Sequence, residues 1–198
     1  MNFLALALAG WAAAAGSVQH VRVLDQAGKP LAGAVVFVSN PPAPPERAGT
    51  FVMDQVDTEF KPHLLVVPAG SSVRFPNKDK IQHHLYSFSG AKPFELPLYS
   101  GEPAAPLVFD KPGLVKLGCN IHDWMLAFIL VIPTESFVIT DAQGRGELAA
   151  PPGAELSVFH ERAKATIAST RRAAVEGPEI VWKLPSRAAG RAGKPSGY

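Results

Sequence analysis

The only cysteine of this 198-residue chain lies in a short segment that also contains a His and a Met. The segment reads Cys119-Asn-Ile-His122-Asp-Trp-Met125, and a second imidazole is available upstream at His83 or His84. A thiolate, an imidazole and a thioether on one loop are ligands that suit copper. Two His, one Cys and a weak axial Met make up the mononuclear blue-copper site, which transfers electrons. The spacing therefore predicts a copper centre.

The cysteine and histidine counts exclude several related sites. One Cys cannot form an internal disulfide, and ligation to a metal would protect its thiol from oxidation. A dinuclear electron-transfer copper centre needs two bridging cysteines, a multicopper oxidase needs many more His than the six present, and a structural zinc site usually takes two or more Cys. The other histidines, His20, His63 and His160, are scattered and have no spacing that suggests a second metal.

The first sixteen residues, MNFLALALAGWAAAAG, carry no charged side chain. This apolar run is too short to span a membrane, and it ends in small residues that suit a signal peptidase. We expect residues 1–16 to be a signal peptide, which leaves a mature chain without a transmembrane segment. The expected location is the periplasm or the extracellular space.

Charge and motif content exclude other function classes. Nineteen basic and seventeen acidic residues are interspersed and give a formal charge of +2, so nothing resembles a nucleic-acid-binding patch. No carboxylate pair, Ser–His pair or phosphate-binding loop occurs at a persuasive spacing. We therefore expect no enzyme but a carrier that exchanges electrons with redox partner proteins.

The pattern of turns and apolar runs predicts an all-β protein. The 19 Pro and 17 Gly fall between short apolar runs, as turn residues do in β-proteins. Two runs near the ends of the chain, VRVLDQAGKPLAGAVVFV and VITDAQGRGEL, share what is expected to be a hairpin turn, in which Gly28 and Gly144 supply a positive φ. These runs resemble the halves of a transthyretin-like or carboxypeptidase-regulatory-like β-sandwich, which implies a small antiparallel sandwich.

The segment between these runs resembles the cupredoxins. Over residues 51–133 the motifs are FKPHLLVVPAGSSVRFPN, which ends at Asn77, VFDKPGLVKLGC, which ends at Cys119, and the apolar strand after Met125. The spacing Cys-x-x-His-x-x-Met is the short ligand loop seen in amicyanin. The chain is also similar to exported methylamine-utilisation-type cupredoxin-like proteins. The resemblance implies a Greek-key β-sandwich that holds one copper ion cycling between Cu(I) and Cu(II).

The resemblance also implies a ligand set. His83 follows Asn77 by six residues, as the upstream ligand does in amicyanin, and Cys119, His122 and Met125 match the remaining ligands. His84 stands where many cupredoxins have an Asn that ties the upstream strand to the Cys loop. We expect His84 and Asn77 to support the ligands through hydrogen bonds. Adjacent strand residues point to opposite faces, so only one of His83 and His84 can be the ligand, and the choice stays open.

Together these patterns predict a cupredoxin Greek-key sandwich inserted into a second small β-sandwich. The expected boundaries are 1–16 for the signal peptide, 17–40 with 134–186 for the discontinuous sandwich, 49–133 for the copper domain and 187–198 for a disordered tail that lacks apolar periodicity. The expected activity is one-electron transfer. The alternatives are a periplasmic copper-trafficking module and an envelope ligand-binding sandwich with secondary copper binding.

Overall fold

The computed structural model of this protein describes residues 17–46, 48–103, 105–151, 153–163, 171–173 and 179–185. The predicted all-β class is confirmed, since these ranges contain strands, turns and bends and no helix. Accordingly, no helix within them is long and apolar enough to cross a membrane. The predicted signal peptide and the predicted disordered tail lie outside the described residues.

The described residues form seventeen strands that pair into five sheets. In chain order they are β1 Ser17–Asp25, β2 Val35–Val38, β3 Thr50–Val52, β4 Asp54–Val56, β5 Glu59–Lys61, β6 Leu64–Pro68, β7 Ser71–Arg74, β8 His83–Ser87, β9 Phe94–Tyr99, β10 Leu107–Phe109, β11 Gly113–Cys119, β12 Leu126–Ile132, β13 Phe137–Ile139, β14 Arg145–Ala150, β15 Glu155–Phe159, β16 Arg171–Ala173 and β17 Ile180–Leu184.

The strands near the two ends of the chain pair with each other. One sheet has the order β14-β1-β17 and the other the order β13-β2-β15-β16. The two sheets share a buried core that includes Val21, Val36, Leu156 and Trp182. One difference from the predicted antiparallel sandwich is that β17 runs parallel to β1, because the chain crosses through the second sheet before it returns. Strands that precede residue 40 thus form sheets with strands that follow residue 136.

The two similar turns are formed as the sequence predicts. Gly28 and Gly144 have φ values of 80° and 71°, and their N–H groups donate to the carbonyls of Asp25 and Asp141 at 3.0 and 2.9 Å. Gly144 has a further reason to be glycine, because a Cβ there would lie 2.3 Å from the carbonyl oxygen of Val23. Each turn joins strands that belong to opposite sheets of the sandwich, although Leu24 and Pro30 still form a local antiparallel bridge across the first one.

The middle of the chain forms a second pair of sheets, which positions the predicted copper ligands. The orders are β10-β7-β3 and β6-β12-β11-β8-β9, and both sheets contribute to one buried core that includes Phe75, Leu85, Phe109, Leu117 and Ile129. The five-stranded sheet places β8 next to β11, with Leu85 opposite Cys119. A separate two-stranded hairpin, β4-β5, adjoins this pair of sheets, since Gln55 bridges to Asn77.

A third core lies where the two pairs of sheets meet. Val35, Phe37 and Phe159 come from the sheet of β2 and β15, and Val66, Leu130 and Ile132 come from β6 and β12. All four residues of β2 are buried, because Val36 and Val38 face one core while Val35 and Phe37 face the other. The flanking sandwich and the middle segment are therefore packed against each other through apolar side chains.

Phe37→Ala should destabilise the whole chain. Truncating a buried Phe costs about 3–5 kcal/mol, and here the side chain fills the core that both parts share. We expect one cooperative urea transition at a lower midpoint, with far-UV circular dichroism and tryptophan fluorescence coinciding. Trp124 reports on the middle segment and Trp182 on the flanking sandwich. Val18→Ala, at a residue that is 61% exposed, is the control and should leave the midpoint unchanged. Two separate transitions, with only one of them shifted, would contradict the coupling.

Candidate metal centre

Three chain segments bring two imidazoles and the thiolate together. His83 begins β8, Cys119 ends β11, and His122 lies in the loop between β11 and β12. The Nδ1 atoms of His83 and His122 are 3.2 Å apart, and the Sγ of Cys119 lies 3.9 and 3.7 Å from them. These three residues form the one group of three or more His, Cys, Asp or Glu side chains among the described residues that could hold a metal ion.

The size of this triangle fits a first-row metal. A circle through the three ligand atoms has a radius of about 2.1 Å, given the three distances above. For comparison, zinc–imidazole and zinc–thiolate bonds are about 2.0–2.1 and 2.3 Å long, close to this radius. The side chains therefore need little movement to bind an ion between them.

Met125 completes the set of donors at the same end of the core. Its side chain is 2% exposed, belongs to the same buried cluster as Cys119, and lines one groove with it. The N–H of Met125 donates to the carbonyl of His122 at 2.9 Å, so a tight turn connects the two. Two imidazoles, a thiolate and a thioether are the donors of a blue-copper site, and the cofactor that this set fits is one copper ion.

The two neighbouring histidines occupy opposite faces of β8, as strand geometry predicts. His83 is fully buried and lies in the metal-binding cluster. The His84 imidazole is on the outer face, where its Nε2 lies 2.9 Å from a carboxylate oxygen of Glu95 without the alignment of a regular hydrogen bond. The expected tie between His84 and the Cys loop exists, but the backbone makes it: the N–H of Asn120 donates to the His84 carbonyl at 3.2 Å.

Asp79, which the sequence analysis did not single out, holds the outer nitrogen of His83. Its Oδ2 lies 2.8 Å from His83 Nε2, and the carboxylate also accepts the backbone N–H groups of Asp57 and Thr58 at 2.7 and 2.9 Å. Burial alone would raise the pKa of Asp79, but the hydrogen bonds from His83, Thr58 and Asp57 outweigh it, so the pKa lies below its usual value. The group is a carboxylate that accepts every one of these bonds.

Asn77 shapes the loop that carries Asp79 and leads to His83. Its side-chain amide donates to the carbonyls of Ile81 and Tyr99, both at 2.9 Å, and its Oδ1 accepts the N–H of Asp79 at 3.0 Å. The residue is 4% exposed, so these bonds are made away from water. The supporting role expected of Asn77 thus takes the form of holding the backbone between β7 and β8.

Trp124 lies between the other imidazole and the β4-β5 hairpin. Its ring centroid is 5.3 Å from that of His122, with the planes tilted by 56°. The indole N–H donates to the carbonyl of Thr58 at 3.2 Å. The hydrogen bond from Trp124 to a residue 66 positions away has no signal in the sequence.

A buried polar network lies close to the thiolate. The hydroxyl of Tyr99 donates to the carbonyl of Phe75 at 2.8 Å and accepts a hydrogen bond from the side-chain amide of Gln55. The pKa of Tyr99 is raised to about 12, mainly by burial; the Gln55 hydrogen bond opposes this shift, and the electrostatic interaction with Cys119 adds to it. The phenol therefore stays neutral and serves as a hydrogen-bonding wall of the site.

Three further apolar side chains near the site divide into two groups. Phe75 and Leu85 are buried in the core that surrounds Cys119. Phe128 is on the outer face of β12, where its ring packs edge-on against His63 at 5.6 Å between centroids. Phe75 and Leu85 can exclude water from the metal centre, and Phe128 supports the far side of the sheet.

No protein-family model and no curated protein match this chain. Several solved structures do match part of it. They include the copper-containing nitrite reductase of Thermus scotoductus at 27% identity over 40% of this chain and 21% of that one, with a TM-score of 0.38. The purple cupredoxin of Nitrosopumilus maritimus matches at 22% identity over 40% of this chain and 97% of that one, with a TM-score of 0.36. The reduced Cu(I) form of an amicyanin mutant matches at 22% identity over 41% and 81%, with a TM-score of 0.38.

Part of this chain is thus similar to cupredoxins, as the sequence indicates, and the structure brings His83, Cys119 and His122 together within that part. This chain spans only about a fifth of the nitrite reductase, so that enzyme is similar to it over a limited region. These comparisons do not assign ligand roles to individual residues. The candidate ligands of this chain rest on the side-chain geometry described above. The resemblance of the flanking segments to transthyretin-like sandwiches, and the domain boundaries, stay predictions.

The two neighbouring histidines should have separable effects. His83→Ala should abolish the blue spectrum of the Cu(II)-loaded protein, because it removes a buried ligand whose Nδ1 faces the Cys119 thiolate. His84→Ala should leave the visible band in place, since that imidazole lies on the other face beside Glu95. Absorption spectra of both variants, recorded at equal copper content, provide the measurement. The reverse ranking would assign the ligand role to His84.

Proposed function

We propose that this chain is an exported electron carrier that cycles one copper ion between Cu(I) and Cu(II) in a mononuclear blue-copper site. The observation that carries the proposal is the triangle of His83 Nδ1, Cys119 Sγ and His122 Nδ1, with Met125 buried beside it. A copper ion bound there would supply the one-electron chemistry. The ligands would be His83, Cys119 and His122, with Met125 as the weak axial donor.

The residues around the site suit fast electron exchange, because they hold the ligands still. His83 and Cys119 are at the ends of paired strands, and Met125 precedes the strand that pairs with β11. Cys119 is 4% exposed and His83 is fully buried, so water has little access to the donors. His122 is only partly buried, which makes its edge the natural approach for a redox partner protein. For the redox partner we propose only its class, which is another electron-transfer protein.

Burial also favours a carrier over a trafficking module. A trafficking site must release its ion readily, whereas here Cys119 and Met125 belong to a packed core and His83 is fully buried. Catalysis on a copper-bound substrate would need an open coordination position, as catalytic metal sites keep. If Met125 occupies the axial position, the set offers none, and we propose a protein without a substrate of its own.

Export is part of the proposal. Its support is the uncharged apolar stretch at residues 1–16, which ends in small residues typical of a signal-peptidase site. A lone thiol in an oxidising compartment is vulnerable, and ligation by copper would protect it. We therefore propose the periplasm or the extracellular space as the site of action.

Adding Cu(II) to the mature protein should produce an intense blue or green colour from charge transfer between the Cys119 thiolate and copper. Cys119→Ser should abolish this band, because serine offers no soft thiolate. Absorption spectroscopy during a copper titration measures both, with a stoichiometry of one ion per chain expected. A strong band that survives in the Cys119→Ser variant, or no band in the unmodified protein, would contradict the blue-copper function.

Met125→Leu should tune the copper site without emptying it. The axial bond to a thioether is long and weak, so its loss should leave copper bound and raise the reduction potential. Copper content by mass spectrometry and a redox titration give the two measurements. If Met125→Leu lost copper as completely as Cys119→Ser does, Met125 would be a principal ligand and the site would be of another type.

A further inference from the structure

We propose that the turn of the β4-β5 hairpin, Asp57–Thr58, is a positioning clamp that holds both imidazole ligands at once. One arm of the clamp reaches His83 through Asp79, and the other reaches His122 through Trp124. The inference rests on the proposed function, because it concerns the same metal centre, and the hydrogen bonds that carry it join protein atoms only. It assigns Asp57, Thr58, Asp79 and Trp124 as residues that act through the ligands.

The first arm fixes which nitrogen of His83 is free to bind a metal. Asp79 is an acceptor, so the Nε2 atom 2.8 Å from its Oδ2 carries the hydrogen. The lone pair is then on Nδ1, which is the atom that faces Cys119 and His122. Carboxylates placed behind ligand imidazoles orient the ring and raise its basicity. Asp79 therefore selects the competent tautomer of a fully buried His83.

The turn of the β4-β5 hairpin fixes the position of the Asp79 carboxylate. Asp57 and Thr58 both have φ values of 57°. A positive φ is uncommon and costly for residues other than glycine. This conformation aims two successive N–H groups at the Asp79 carboxylate, at 2.7 and 2.9 Å. Successive N–H groups in such a turn form a concavity that binds an anion. The strained turn therefore binds the carboxylate of Asp79, which in turn contacts His83.

The second arm begins at the same residue. The carbonyl of Thr58 accepts the indole N–H of Trp124 at 3.2 Å, while the N–H of Thr58 donates to Asp79. Trp124 packs against His122, with 5.3 Å between ring centroids. A single peptide turn therefore contacts the supports of two ligands that are 39 residues apart in the chain. A shift of the turn would change the positions of both imidazoles together.

The test uses the mature, copper-loaded chain with Asp79→Asn, Trp124→Phe and the double variant. The first removes the carboxylate charge, and the second keeps an aromatic ring beside His122 but lacks the N–H donor. Asp54→Asn is the matched control, because it makes the same chemical change on β4 at a carboxylate that pairs with Lys78. Cu(II) affinity by chelator competition, the reduction potential and the electron paramagnetic resonance spectrum are measured for each.

We expect Asp79→Asn to lower Cu(II) affinity by about 10- to 100-fold, the usual effect of losing a partner behind a ligand. The reduction potential should rise, because the lost anion stabilises Cu(II) more than Cu(I); each tenfold preferential loss corresponds to about 59 mV. Trp124→Phe should alter the resonance spectrum through a change in the orientation of His122. Because both arms meet at Thr58, the effects in the double variant should differ from the sum of the single effects.

Two outcomes would overturn the clamp: Asp79→Asn behaving like Asp54→Asn, or strictly additive effects in the double variant. If a variant fails to fold, nitrogen-15 resonances of the metal-free unmodified protein decide instead. The hydrogen of His83 should be on Nε2, and a hydrogen on Nδ1 would overturn the proposal. Failure of the proposed function is distinguishable, because it would show as the absence of a thiolate-to-copper band in the unmodified protein.

Discussion

The structure depends on holding two imidazole nitrogens and one thiolate within 3.9 Å of each other while they come from separate segments of the chain. Unsupported side chains would rearrange whenever the charge of a bound ion changed. Here the strands prevent this, because β8 and β11 are neighbours in one sheet and Cys119 stands opposite Leu85. The buried core on one side and the hydrogen-bonded loops on the other then leave the ligand atoms few alternative positions.

The sequence singles out the candidate ligands because their chemistry is local. Cys119, His122 and Met125 lie on one loop, and a lone Cys in such a spacing has few other uses. The choice of His83 over His84 required knowledge of which strand face meets the core. The contact between Asp79 and His83 could have been predicted from the sequence, since Asp79 precedes His83 by only four residues in a loop. Thr58 was not, because it acts through its backbone, and backbone contacts across the fold leave no mark on residue type.

The flanking strands show a similar division between local and distant information. The turns at Gly28 and Gly144 were predictable, since a positive φ favours glycine. That each turn crosses between sheets was not, because turn chemistry does not report which strands pair. The run Val35–Val38 did contain a signal: four consecutive apolar residues are typical of a strand buried on both faces. Its second face meets β6 and β12, which joins the sandwich to the sheet that contains β8 and β11.

This shared core indicates what the second sandwich contributes physically. The five-stranded sheet that carries His83 and Cys119 is covered on its inner face by its own core. On its outer face Leu130 and Ile132 pack against Val35, Phe37 and Phe159 of the other sandwich. A sheet that is packed on both faces bends less than one with a solvated face. The sandwich therefore restrains the sheet at the Leu130–Ile132 end of β12, while the β4-β5 turn contacts the opposite end, near the candidate ligands, through Asp79 and Trp124.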